Sequence, residues 1–286
     1  MLYWLFDPSI ANLKMCFSRV KPMIKFIKTN NTDTINRLRS ELYKQLTAPT
    51  DAMWEQLYIA SSQHYIIQAG DSILGFCCIN GEGCLMQIFL EQKYYAKMIE
   101  VVEELIKSEM INSASLSSNE PIGFNASLFH SKSNKPNTFC FEHLNTFMAV
   151  NSTIDLELAS VDDIPAIKSF YKEQVGMDDT FGYTENLVKR KELFIVRESG
   201  MIISVSERRM SDSQPDIADL GIIVHMDYQG RSIATQAMQL QVNNVLKLNR
   251  KPICSTTCEN IASRKVIENS GFYCSNIIFD FCFNNS

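Results

Sequence analysis

Leu220-Gly-Ile-Ile-Val-His-Met-Asp-Tyr-Gln-Gly-Arg-Ser-Ile-Ala-Thr235 decides the reading of this chain. An apolar run reads as a strand ending at Val224, a short polar turn follows, and an amphipathic helix begins near Ile233. Such a turn aims a row of backbone N–H groups outward from a helix N-terminus. Orphan donors and the helix dipole together favour an anion there, without any basic side chain.

Downstream, Pro252-Ile-Cys-Ser-Thr-Thr-Cys-Glu-Asn260 reads as a strand. Asn260-Ile-Ala-Ser263 opens a helix that ends before Gly271-Phe272. Gln229-Gly-Arg-Ser-Ile-Ala234, the Asn-x-x-Ser helix and the Gly-Phe pair, in this order, resemble the GNAT acyltransferases over roughly residues 153–286. The resemblance implies an α/β (α+β) fold with a mixed, mostly antiparallel sheet flanked by helices. It also implies acetyl-CoA as co-substrate and N-acetyl transfer to a primary amine by direct attack in a ternary complex. The backbone of Ile222, Ile223 and Val224 would polarise the thioester carbonyl, an oxyanion-hole device. Gln229, Gly230, Arg231, Ser232, Ile233, Ala234 and Thr235 would surround the pyrophosphate, and Asn260 and Ser263 would reach the cofactor. Asn260 is equally a good helix N-cap.

The chain departs from the family at two places. Ser232 stands where glycine is preferred, and Ile267 where many members carry the tyrosine that protonates the departing thiolate. Tyr273 and Cys258 are the expected substitutes for the acid, besides solvent. Asp219 and Glu207 are the candidate bases, since a carboxylate with a raised pKa can deprotonate an ammonium. Each reads equally well as an ordinary strand carboxylate, and His225 reads as surface. The rival to an active enzyme is a catalytically weak or inactive CoA-binding or regulatory protein of the same fold. The segment Gln174 to Glu192, with Asp178, Asp179 and Glu185, is expected to roof the acceptor site, its acidic part facing a cationic amine.

The first half repeats the same series of elements. Met23–Lys28 alternates like a strand. Asn31 or Thr32 caps a helix with Ile35, Leu38, Leu42 and Leu46 at helical spacing, and Thr50 or Asp51 caps a second. His64–Gln68 and Ile73–Ile79 form a hairpin, Leu85–Leu90 is a strand, and Tyr94–Met110 is a helix. Ser113–Leu116 and Phe124–Phe129 look like later strands. This lobe resembles a degenerate GNAT lobe: Glu91-Gln-Lys93 stands where an anion loop would be, with no glycine and with Tyr94-Tyr95 behind it. It is expected to bind no CoA and to shape the acceptor site or buttress the second lobe. The lobes divide as 1–150 and 151–286, with a linker near Ala149–Thr153 and residues 1–22 as an extension of uncertain role.

At 286 residues with 45% hydrophobic and 21% charged residues, the chain suits two globular lobes. Its net charge of −5 argues against nucleic acid. No apolar run is long enough to span a bilayer. Nine cysteines, an odd number without metal-ligand spacing, read as reduced core thiols and a cytoplasmic protein. No metal is expected. The partners are a small-molecule or peptide amine, and the fused lobes allow a monomer that is an internal pseudo-dimer, or a homodimer.

Overall fold

The computed structural model describes residues 22–283; the expected extension at 1–22 lies almost wholly outside them. The first lobe runs β1 (Ile24–Lys28), α1 (Thr32–Tyr43), a π-helix (Trp54–Ile59), β2 (Gln63–Ala69), β3 (Ser72–Ile79), β4 (Cys84–Leu90), a 3-10 turn (Gln92–Lys97), α2 (Met98–Lys107), β5 (Ser113–Ser117), α3 (Pro121–His130) and β6 (Ser133–His143). The second runs β7 (Glu157–Leu158), a 3-10 turn (Val161–Asp163), α4 (Ile164–Val175), α5 (Tyr183–Lys189), β8 (Leu193–Glu198), β9 (Met201–Met210), β10 (Ile217–Val224), a 3-10 turn (Met226–Tyr228), α6 (Ile233–Lys247), β11 (Lys251–Thr257), α7 (Ile261–Asn269) and β12 (Phe272–Cys282).

Local chemistry sets these elements. Asn31 accepts the Thr34 amide at 3.2 Å and starts α1, whose Ile35, Leu38 and Leu42 face inward. Asp51 accepts the Trp54 amide at 2.7 Å. Met98, Val101, Val102 and Leu105 form the buried stripe of α2, each fully buried side chain contributing roughly 1.5–3 kcal/mol. Ser160 and Asp163 form a capping box ahead of α4.

One reading changes. Phe124–Phe129 belongs to helix α3 and not to a strand. Glu120 caps that helix by accepting the Ile122 and Gly123 amides at 3.2 and 2.8 Å, and Pro121 occupies its first turn. The apolar run packs instead by helical spacing, with Phe124 edge-on to Phe279 and Phe281. β7 is also shorter than the expected strand Ile154–Leu158.

All twelve strands form one sheet in the order β1-β2-β3-β4-β5-β12-β6-β11-β10-β9-β8-β7. Exchanging each strand with its counterpart six places along gives the same order read from the opposite edge, so the lobes are related as in an internal dimer. Moreover, each lobe lends its last strand to the other. β12 pairs with β5, from Cys282 opposite Ser113 to Ile278 opposite Ser117. β6 lies between β12 and β11, with Ile253 opposite Glu142 and Thr257 opposite Thr138. The linker is tied down too: Asn243 of α6 accepts the Met148 amide and donates to the Met148 carbonyl, both at 2.9 Å.

Strand exchange has a direct consequence. Expressed separately, residues 1–150 and 151–286 each lose three strand pairings, β5–β12, β12–β6 and β6–β11, so neither half should give a cooperatively folded monomer. Co-expression should restore a one-to-one complex with the circular dichroism of the intact chain. A monomeric 151–286 fragment with a sharp thermal transition would contradict the exchange.

Candidate active site

The site begins where two strands part. β10 and β11 are parallel neighbours only at Ile217/Lys251, Ala218/Pro252 and Asp219/Ile253. Beyond that point β10 stays with β9 as far as Val224, while β11 follows β6. The gap opens into a cavity of about 1340 Å³. Leu220–Val224 line one wall and Cys254–Thr257 the other, and Gln229, Gly230 and Ser232–Thr235 close one end.

That end is built from free donors. The short turn Met226–Tyr228 is capped by His225, whose Nδ1 accepts the Asp227 amide at 3.2 Å. Gly230 and Ser232 both have left-handed backbones, with φ of 77° and 60°. Among the described residues, no acceptor takes the amides of Gly230 to Thr235. Six consecutive unanswered donors at a helix N-terminus suit an anion with several oxygens. Arg231 folds back over the Tyr228 ring at 4.5 Å, so the loop owes its character to backbone rather than to a cation. Asn260 caps α7 by accepting the Ser263 amide at 3.0 Å, and both residues also line the cavity. Ile267 lines it as a buried apolar side chain.

A charged cluster sits at the parting point. Arg209 of β9 is 5% exposed and pairs with Glu207 and, through Nη2 at 3.2 Å, with Asp219 of β10. Glu207 also receives the hydroxyls of Tyr171 at 2.5 Å and Tyr183 at 2.7 Å. Burial raises both tyrosines far above their usual range. The Glu207 side chain faces the cavity with its oxygens already engaged.

Arg231 is outside the lining, and so are two expected catalytic residues. Asp219 is fully buried and does not line the cavity. Its Oδ2 accepts the amide of Ala52, from the first lobe, at 2.9 Å, and Oδ1 faces Arg209. Burial pushes its pKa up to about 7, against the pull of Arg209. This residue lies on the same sheet face as Glu207 and Arg209, but the first lobe covers it there through Ala52, so it joins the lobes instead of meeting solvent. Tyr273, at 45% exposure on β12 and paired with Glu142 of β6, is also outside the lining. The segment expected to roof the site does line the cavity, through Gln174, Val175, Met177 and Tyr183, but its acidic residues do not. Asp179 is buried, capping α5 through the Tyr183 and Thr184 amides at 3.0 and 2.6 Å, and Asp178 pairs with Lys172. Neither lines the cavity.

The first lobe fills the other side of the cavity with Asp51, Met53, Trp54, Tyr58 and Met86. From the sequence Asp51 reads only as a helix cap; the approach of Asp51 and Trp54 to the second lobe depends on the strand exchange, which has no local signal. In the first lobe β4 and β5 likewise part past Leu85/Ala114, but α3 packs against the strands there. Gly123 of α3 packs on Ile88 so tightly that a Cβ would lie 2.4 Å from Ile88 Cγ2. Glu91, held by Arg37 and Lys93, occupies the place of a loop. Among the described residues no group of three or more potential metal ligands occurs, no helix is long and apolar enough to cross a membrane, and the eight cysteines are free.

Comparison with known proteins agrees with this geometry. Two family models, each described as an acetyltransferase (GNAT) domain, match residues 31–144 and 160–273. A GNAT-family acetyltransferase from Colwellia psychrerythraea is 26% identical, with 92% of this chain and 100% of that one covered and a TM-score of 0.85. A GCN5-related N-acetyltransferase from Sphaerobacter thermophilus shares the fold at 13% identity, with 92% and 96% covered and a TM-score of 0.63. So does a tandem GNAT protein from the clavulanic acid biosynthesis pathway, at 12% identity, with 92% and 100% covered and a TM-score of 0.60. No curated protein matches the chain.

The Asp219 environment makes a pH prediction. A carboxyl whose folded pKa lies above its ordinary 3.8 favours the native state when protonated, and that contribution fades as pH rises from about 4 to about 7. Asp219→Asn does not titrate. Whatever its offset from wild type, its melting temperature should therefore gain on wild type as pH rises through that window. A constant offset would show that the carboxyl is not raised.

Proposed function

We propose, from the premise that both halves of this chain belong to the GNAT acetyltransferase family, that the second lobe binds acetyl-CoA and the protein transfers its acetyl group to a primary amine. The observation that carries this is the run of unanswered amides from Gly230 to Thr235 at the end of the β10/β11 gap. A pyrophosphate supplies the several oxygens such donors need, and the gap continues from them as a slot lined by Ile222, Ile223 and Val224. When bound there, acetyl-CoA supplies an activated acyl group with a good leaving thiolate. The chain's own residues do the rest. Backbone groups of β10 on the gap side are without strand partners and face the place for a carbonyl oxygen. Asn260 and Ser263 line the path between loop and gap. The apolar walls, including Ile267, exclude water from the thioester. With an aliphatic side chain in place of a tyrosine, the thiolate takes its proton from solvent or from the attacking amine.

The first lobe lacks this combination of features, so it is assigned no CoA site. Its gap is packed by α3, and a cavity of about 310 Å³ lies beside Tyr95 and Glu120. Burial raises Glu120 to about 7.

Calorimetric titration with acetyl-CoA should give one site per chain. Gly230→Glu combined with Ala234→Glu puts carboxylates into the donor row and should abolish detectable binding while thermal unfolding stays cooperative. Two comparable sites, or retained affinity in the folded double variant, would contradict the proposal.

Ser232 offers a finer test. A side chain in the left-handed region costs roughly 1–2 kcal/mol, and its Cβ stands at the donor row. Ser232→Gly should leave the melting temperature equal or higher and tighten acetyl-CoA binding. Weaker binding would mean that the hydroxyl itself donates to the ligand.

A further inference from the structure

The cavity is lined by one carboxylate with an oxygen that nothing among the described residues satisfies. Asp51 comes from the first lobe yet lines the cavity shared with the second. It is 6% exposed. Its Oδ1 accepts the Trp54 amide at 2.7 Å, but its Oδ2 is buried without a hydrogen-bond partner among the described residues. Buried polar atoms are normally paired, and an orphaned carboxylate oxygen is among the most costly exceptions. No Lys, Arg or His nitrogen among the described residues lies within 4.0 Å to pair with it; Arg209 is committed to Glu207 and Asp219.

Its position is fixed from the other lobe. The adjacent Ala52 amide donates to Asp219 Oδ2, at the last paired residue of β10 before the gap opens. Asp51 is thereby held at the mouth of the splay. Beside it, Trp54 and Tyr58 stack with ring centroids 4.7 Å apart, and both line the same cavity with Met53 and Met86. A carboxylate flanked by aromatic faces and thioethers suits a cationic head on an apolar body.

Resting on the acetyltransferase reading above, we propose that Asp51 is the acceptor-binding carboxylate and general base, and that the acceptor is a cationic primary amine with an apolar or aromatic body. The ammonium gives one proton to Asp51 and becomes a neutral amine. The nitrogen lone pair forms the N–C bond to the thioester carbonyl carbon as the C–S bond breaks. The second nitrogen proton passes to the departing thiolate, and the third remains on the amide. Asp51 returns its proton to water. Asp219 is a positioning residue in this scheme, acting through the Ala52 amide.

The experiment uses full-length protein carrying Trp4→Phe, which leaves Trp54 as the sole tryptophan. Phenethylamine is titrated without acetyl-CoA, with 2-phenylethanol as the neutral isostere, and Trp54 emission is followed. Wild type should respond saturably to the amine and at least tenfold more weakly to the alcohol. Asp51→Asn keeps the Oδ1 cap and should lose the amine response. It should also lower kcat/KM about 100-fold, the scale of a general base, with acetyl-CoA affinity within about twofold of wild type. Asp51→Glu should recover part of both, which a mere helix cap would not require. Amine binding and turnover unchanged in folded Asp51→Asn would overturn the inference and leave the acetyltransferase reading intact. An equal response to amine and alcohol would overturn the cationic assignment. Failure of wild type to bind acetyl-CoA would instead remove the reading on which the inference rests.

Discussion

The architecture turns on one buried guanidinium. Arg209 sits between Glu207 on its own strand and Asp219 on the next, at the place where β10 leaves β11. Removing either carboxylate would leave a buried charge short of a partner, a loss on the order of 3–5 kcal/mol. Gly221 makes the arrangement possible: a Cβ there would stand 3.1 Å from Arg209 Nη1 and 3.4 Å from Glu207 Oε2. The same cluster then reaches across the molecule, because Asp219 also holds the Ala52 amide. Opening of the sheet and docking of the first lobe are thus one electrostatic event. The cavity between the lobes inherits its shape from that event.

The two lobes carry the same elements in the same order but use them differently. In the second, the parted strands remain open and end in a row of free amides. In the first, Gly123 lets α3 press against Ile88, and Glu120 caps that helix. Glu91, paired with Arg37 and Lys93, stands in the place of an anion loop. The first lobe contributes Asp51, Trp54 and Tyr58 to its neighbour's cavity. Strand exchange makes this division durable, since neither lobe completes its sheet alone.

Much of this was legible in the chain. The run from Leu220 to Thr235 has strand, turn and helix signals that are local, and local signals survive folding. The same holds for the buried stripe of α2 and the caps at Asn31 and Asn260. What failed was whatever tertiary context decides. Phe124–Phe129 is apolar enough for a strand, but the cap at Glu120 and Pro121 nucleates a helix. Asp219 looked like an open strand carboxylate until the first lobe covered it. Asp178 and Asp179 looked like a free acidic patch; one is a buried helix cap and the other an exposed partner of Lys172. The position of β6 between β11 and β12, and with it the proximity of Asp51 to the site, has no signature in any short window.

The central claim is that the second lobe's parted strands and amide row, and not their counterparts in the first lobe, receive the acyl-CoA. Hydrogen exchange of the backbone amides with and without acetyl-CoA tests it most directly, because the proposed contacts are the exchanging groups themselves. Protection should appear in peptides covering 220–224 and 229–235, with none in those covering 91–97. Protection centred on 91–97, or exchange unchanged at 229–235 under saturating acetyl-CoA, would contradict the account.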